Sequence, residues 1–297
     1  MVSINKYTLK SIHPYNLDET LYSGQSFKWV SLDISNDISD NWHQGIIDNR
    51  RVRLAQSKNN IYLWTAKKYA DQDISTVSSY LRLDDDIEKI YLAISKNTYI
   101  TSAIKKYRGL HLLRQPPWET LVTFICSANN NIPRIRQLVS AMSTKFGQKV
   151  TDTFGTFHLF PSSTELYNAG EESLRELGLG FRAKYVYAAA ELDVNNIINV
   201  EKLVNKNYHE SLDKLTHIPG VGDKIANCVL LFSLNKLEAF PVDVWIKRVL
   251  REVYIDATLP IPDSQIRPWA QKEFGEYAGY LNQYLFHNRR LFKSTIK

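Results

Sequence analysis

Sulfur is scarce in this 297-residue chain, which has two cysteines and two methionines. Cys126 and Cys228 are far apart and no CxxC pair exists, which excludes an iron–sulfur cluster or a cysteine-based zinc site. Both stand in apolar, helix-patterned stretches, so reduced intracellular thiols are expected rather than a disulfide. No apolar run approaches the roughly 18 residues that a membrane helix needs. The opening stretch MVSINKYTLKSIHPYNLD lacks the apolar centre of a secretory signal, so an intracellular protein with no membrane partner is expected. Low-complexity tracts and long linkers are also missing, which disfavours a disordered or multi-module chain.

Aromatics are plentiful, with 17 Tyr and 6 Trp, and 37 Lys+Arg against 31 Asp+Glu leave a net charge of +6. That modest basic excess suits a polyanionic partner. Before residue 70 the pattern is strand-like. QSFKWV (25–30), WHQGII (42–47), RVRLAQ (51–56) and IYLWTA (61–66) are short, aromatic or β-branched, and partly alternating. Turn signals at Ser35–Asp40, Asp48-Asn49 and Asn59-Asn60 divide them. After residue 70, apolar residues recur at three-to-four spacing. Helices are predicted over Ile74–Leu83, Asp86–Ser95, Pro117–Ala128, a segment opened by Pro133, Ser163–Asn168, Glu171–Leu177, Ala183–Asp193, His209–Thr216, Asp223–Ser233, Val244–Val253, Ile266–Phe274 and Tyr277–Asn288. The expected fold class is α+β: an N-terminal antiparallel β-sheet domain (1–107) packed on a mostly helical body (108–297).

The decapeptide LTHIPGVGDK (215–224) carries the most information. One helix ends near Thr216 and the next begins at Asp223, with Pro219-Gly220-Val221-Gly222 between them. Two glycines let the backbone turn tightly and approach a ligand closely. The new helix offers unpaired N–H groups and the positive end of its dipole, so Gly220, Val221 and Gly222 form a phosphate-binding nest. This is a helix–hairpin–helix (about 206–234), a sequence-independent grip on a DNA backbone.

Lys224 lies in the first turn of the second helix, where the dipole disfavours the ammonium form. A neutral lysine can attack carbon, although a phosphate contact is the other role open to it. Asp243, just before the apolar helix of VDVWIKRVL, supplies a partner. Helix 224–234 carries the chain about 16 Å away, and residues 235–242 can return about 26 Å if extended. Both helix N-termini can therefore face one mouth, with Asp243 held ionised by the dipoles while it caps its own helix.

PGVGDKIANC followed by FPVDVW resembles the helix–hairpin–helix glycosylases whose motif ends in a Gly/Pro-rich loop and a catalytic aspartate. SGQSFKW (23–29), LLRQPPWETLVTFICSANNNIPRI (112–135), LGLGFRAKYV (177–186), IPGVGDKIANC (218–228) and PVDV (241–244) together resemble the 8-oxoguanine DNA glycosylase/AP lyase family, in the branch that includes the eukaryotic enzyme. The resemblance implies that Lys224 attacks C1′ of a flipped nucleotide and forms a Schiff base. Asp243 would support departure of the base, and β-elimination would then nick the strand. It implies that the Gly24 carbonyl accepts the N7 proton found only in oxidised guanine. Cys228 and Phe286 would cover the two faces of the base, and Asn282 would meet its Watson–Crick edge, where the family has glutamine. Asn129 would fill the hole in the stack, and Arg134 and Arg182 would read the estranged cytosine. Phe181 would be a wedge that is commonly tyrosine. Trp245 stands where the eukaryotic enzyme has histidine, so any proton role there is lost. Lys247, Arg248 and Arg251 are read as a solvated basic face that could also meet phosphates.

The implied partner is duplex DNA containing 8-oxoguanine·cytosine, bound by a monomer. No cofactor or metal is required, and the hairpin carbonyls are a candidate seat for a monovalent cation. The competing readings are a relative acting on another damaged or alkylated base, which usually lacks the nucleophilic lysine, and a DNA-binding module without chemistry.

Overall fold

The computed structural model describes residues 4–34, 41–255 and 261–294; the predicted turn at Ser35–Asp40 lies outside the described residues. The chain begins with β1 (Ile4–Lys10) and α1 (Leu17–Tyr22), then forms β2 (Val30–Asp33), β3 (Asn41–Ile47), β4 (Arg50–Ser57) and β5 (Asn60–Ala66). These strands make one antiparallel sheet in the order β1-β5-β4-β3-β2. β1 was not expected. It is an edge strand in which Leu9 is buried while Lys6, Thr8 and Lys10 face solvent, so its apolar alternation is weak. QSFKWV is not a strand until Val30, because Gln25 and Trp29 are buried side chains of a loop. Within the sheet, Gly45 lets Trp29 lie on β3; a Cβ there would sit 2.7 Å from the indole.

The helical body follows as α2 (Ala70–Tyr80), α3 (Ile87–Ile94), α4 (Thr98–Lys106), α5 (Pro117–Cys126) and α6 (Ile132–Phe146). A short hairpin, β6 (Lys149–Asp152) with β7 (Gly155–His158), leads to α7 (Ser163–Leu174) and α8 (Ala183–Val194). The chain ends in α9 (Tyr208–Thr216), α10 (Asp223–Phe232), α11 (Val244–Val253), α12 (Ile266–Phe274) and α13 (Ala278–Ser294). Caps explain several boundaries: Asn16, Asp86 and Asn97 each accept from a backbone N–H of the first turn, and Ser162 with Glu165 forms a capping box. The break expected between 168 and 171 appears as Gly170 at φ 77°, inside what is otherwise one helix. α1, α4 and the β6–β7 hairpin were not anticipated. The hairpin is held by tertiary contacts: Arg51 donates to Asp152 and to the Gly155 carbonyl, and the Arg53 guanidinium lies 3.9 Å from the Phe154 ring centre.

Apolar side chains fall into two clusters. The smaller, around Leu21, Trp29, Leu54, Leu63 and Leu81, lies against the sheet; the larger joins α3–α13. Their seam is polar and centred on Gln25. Gln25 donates to the carbonyls of Thr20 and His111, both at 2.9 Å, and accepts from Leu113 N at 2.9 Å. His111 stacks on Tyr15 with ring centres 4.4 Å apart. Loop 23–25 is thus fixed against the helical body at the position where a cavity opens. Among the described residues, no helix is long and apolar enough to cross a membrane.

Candidate active site

The helix–hairpin–helix is α9, the turn at 217–222, and α10. Gly220 has φ 81°, and a Cβ on it would lie 2.3 Å from the Tyr185 ring, so no other residue fits. Gly222 differs: at φ −87° it caps α10 without a side-chain bond, and a Cβ would meet nothing within 4 Å. Its backbone faces open space, and the first N–H groups of α10 stand beside it.

The return of the chain to this helix end is governed by Asn227, which is fully buried. Its Nδ2 donates to Asp223 O at 2.8 Å, while its Oδ1 accepts from Tyr208 Oη at 2.8 Å and from Phe240 N at 3.2 Å. One side chain therefore ties α9, α10 and the 240–243 segment together. From the other side, Asn282 on α13 donates from Nδ2 to Pro241 O at 2.8 Å. Between these pins Asp243 caps α11, with Oδ1 accepting from Trp245 N at 2.9 Å and Ile246 N at 2.8 Å. Oδ2 has no hydrogen-bond partner among the described residues.

Lys224 and Asp243 line the same cavity, of about 810 Å3, which Gly24, Cys228, Asn282 and Phe286 also line. That volume lies within the range of small-molecule sites. Lys224 Nζ is 3.4 Å from Ser127 Oγ and 5.3 Å from the Phe124 ring centre. Cys228 is 3% exposed. Burial pushes its thiol up from the ordinary value and the Lys224 charge opposes this, so the cavity holds a neutral thiol near neutral pH. Gly24 has φ 87°, and a Cβ on it would lie 3.1 Å from Phe286 Cε1, which places the glycine and the ring on adjoining walls.

Of the predicted DNA-contacting residues, Asn129 lines the cavity, whereas Arg134, Phe181 and Arg182 lie outside its lining. Asn129 is exposed in the left-handed region at φ 49° and lines the cavity. Arg182 is largely committed to the backbone: Nε donates to Ala128 O at 2.8 Å and Nη2 to Asn129 O at 2.9 Å, holding the Asn129 loop in shape. Arg134 donates to Gly178 O at 3.2 Å, and a Cβ on Gly178 would lie 2.5 Å from that nitrogen. Phe181 is 46% exposed, with its ring 4.5 Å from the Arg182 guanidinium. The basic face expected on α11 is largely neutralised. Lys247 and Arg251 share Asp263 at 2.8 and 2.7 Å, while Arg248 lies 5.1 Å over Trp245. Ser127, Gln283, Arg289 and Arg290 also line the cavity and were not anticipated. Arg290 stands one turn beyond Phe286, a spacing that could have singled it out. Among the described residues, no group of three or more His, Cys, Asp or Glu side chains could hold a metal ion.

Helices α9 and α10 joined by the glycine turn, with Lys224 and Asp243 lining one cavity, give the chain a helix–hairpin–helix fold. Family comparisons agree. Residues 8–121 match the 8-oxoguanine DNA glycosylase N-terminal domain, and residues 122–267 match the HhH-GPD superfamily of base excision DNA repair proteins. The N-glycosylase/DNA lyase of Saccharomyces cerevisiae is 32% identical over 91% of this chain and 82% of its own length. The solved MBOgg1 structure in complex with a low-affinity DNA ligand superposes with a TM-score of 0.87 at 32% identity, covering 98% of this chain and 99% of that one. The Clostridium acetobutylicum 8-oxoguanine glycosylase/lyase, solved with duplex DNA containing cytosine opposite 8-oxoG, gives 0.88 at 27% identity and covers 98% of each chain. This chain belongs to the 8-oxoguanine DNA glycosylase/AP lyase family, whose members combine DNA glycosylase and AP lyase activities.

Proposed function

We propose that this chain removes 8-oxoguanine paired with cytosine from duplex DNA and then cuts the strand, acting as a monomer on chromosomal DNA inside the cell. The observation that carries the reading is that Lys224 and Asp243 line one cavity with Gly24, Cys228 and Phe286. The hairpin amides take a backbone phosphate, and the damaged nucleotide swings out of the stack into the cavity. Cys228 and Phe286 cover its faces, and the Gly24 carbonyl accepts the N7 proton. Asn282 offers Oδ1 to the base edge, since its nitrogen is engaged by Pro241.

The Lys224 amine forms a bond to C1′ as the bond to N9 breaks; the electron pair leaves with the base, which takes up the proton that the amine gives up. The Asp243 carboxylate stabilises the positive charge that develops on the sugar. Ring opening gives an imine between Lys224 and C1′. Loss of a C2′ proton then expels the 3′ phosphate, which is the β-elimination. Asn129 fills the vacated stack. Arg134 and Arg182 have guanidinium N–H groups left over for the acceptors of the estranged cytosine. No cofactor takes part; a monovalent cation on the hairpin carbonyls would reinforce the phosphate cradle.

Borohydride trapping on an 8-oxoguanine·cytosine duplex tests the reading. The wild-type protein should form a covalent adduct, Lys224→Gln should form none, and adenine opposite the lesion should lower the yield. Base release without an adduct would mean a glycosylase that uses water, and binding without either would mean a DNA-binding module. Absence of an adduct with wild-type protein overturns the proposal.

A further inference from the structure

The wall at Gly24 carries a polar group that the proposed chemistry leaves unused. Arg290 follows Phe286 by one turn of α13. Its Nη2 donates to Tyr22 O at 2.8 Å, which fixes the guanidinium beside loop 22–24. Nη1 lies 3.2 Å from the point where a side chain on Gly24 would begin, next to Phe286 Cε1 at 3.1 Å and Ile132 Cδ1 at 3.3 Å. All four residues line the cavity. Arg290 Nε is buried without a partner, and Nη1 has no partner among the described residues. Charged donors held against apolar groups are unfavourable unless an acceptor reaches them. Gly24 thus serves twice: its backbone is left-handed, and its missing side chain leaves room for a guanidinium edge.

The geometry points to Arg290 as a specificity-determining residue that donates from Nη1 to the oxygen on C8 of the damaged base. The inference rests on the reading of this cavity as an oxidised-guanine pocket. N7 and C8 are neighbouring ring atoms, so the lesion presents an N7–H donor and a C8=O acceptor side by side. Gly24 and Arg290 offer the complement, an acceptor and a donor, on one wall. Undamaged guanine has neither the N7 proton nor the C8 oxygen. The carbonyl reads the proton and the guanidinium reads the oxygen, so each half of the oxidation is recognised separately. The ligand class is a purine lesion with oxygen on C8 and a proton on N7, including the ring-opened formamide.

Single-turnover excision of 8-oxoguanine and 8-thioguanine, each opposite cytosine, separates contact from scaffold. Sulfur keeps the N7 proton but accepts hydrogen bonds weakly. Wild-type protein should favour oxygen. Arg290→Met should lose about tenfold or more on 8-oxoguanine, the scale of one charge-assisted hydrogen bond. Its oxygen-over-sulfur ratio should shrink by a similar factor, and Arg290→Lys should fall between. If Arg290→Met does not fold, the ratio in Arg290→Lys decides. A ratio unchanged from wild type, whatever the absolute rates, overturns the inference and leaves Arg290 as a support for Tyr22. If wild-type protein does not excise 8-oxoguanine at all, the pocket reading itself fails and this inference falls with it. A normal wild-type rate with an invariant ratio overturns the inference alone.

Discussion

Asp243 serves as both a cap and a charge, and the two roles can be separated. Asn accepts at a helix N-cap as well as Asp does. Asp243→Asn should therefore keep the unfolding midpoint of the wild type while base excision slows by about a hundredfold or more, the scale of a lost electrostatic contact to a developing charge. Asp243→Ala should lose about 1 kcal/mol of stability as well, read by urea unfolding. That Lys224 and Asp243 line one cavity was legible in the sequence, because helix rise and loop reach bound the distance between them. Asn282 was legible only as a pocket residue. Its bond to Pro241 depends on where α13 crosses a loop 41 residues away in sequence, and spacing along one helix carries no trace of that. The commitment of Arg182 to the carbonyls of 128 and 129 was hidden for the same reason.

Among the elements, the hairpin gives the sharpest contrast, because its two glycines meet different surroundings. Gly220→Ala forces a positive φ and drives a methyl into Tyr185, and should cost about 1–3 kcal/mol. Gly222→Ala meets open space at a negative φ, so the fold should be kept. If the hairpin amides bind a phosphate as proposed, it should still weaken binding to undamaged duplex, because the added methyl would stand where that phosphate approaches. Thermal melts alongside fluorescence anisotropy distinguish the two variants, and equal effects on stability would contradict this account. Long elements with clear periodicity, such as α10 and α11, were readable within a residue or so. β1, α4 and the β6–β7 hairpin were not. β1 buries little, α4 mixes β-branched and polar residues, and the hairpin is held by Arg51 and Arg53 from a distant sheet.

For the whole molecule, the seam between sheet and helices sets a dependence on pH. His111 is 1% exposed, and burial lowers it from its ordinary value of 6.5 to about 4. Its Nδ1 faces Gly109 O at 2.9 Å, which requires the proton there to be donated to the carbonyl. Because the folded value is depressed, the unfolded chain binds the proton first. Stability is complete above about pH 6.5 and is lost as pH falls towards 4, by about 3 kcal/mol for a shift of this size. Urea unfolding across that window should show the decline, and His111→Phe, which retains the stack on Tyr15, should flatten it. The antiparallel sheet packed on a helical body was predictable from the change of periodicity near residue 70, whereas the polar pins that set the angle between them were not.

Helix α13 also orders events in time. Asn282, Phe286 and Arg290 line the cavity, and the loop at 22–24 is secured by Gln283 and Arg290 through the carbonyls of Ser23 and Tyr22. During synthesis the hairpin and its lysine leave the ribosome about seventy residues before that helix is complete. Until α13 docks, the larger core lacks the fully buried Tyr280, Leu281, Tyr284 and Leu285, and the loop at 22–24 lacks its anchors. A chain without α13 should therefore fail to fold, so the cavity and the core that supports it are completed in a single step.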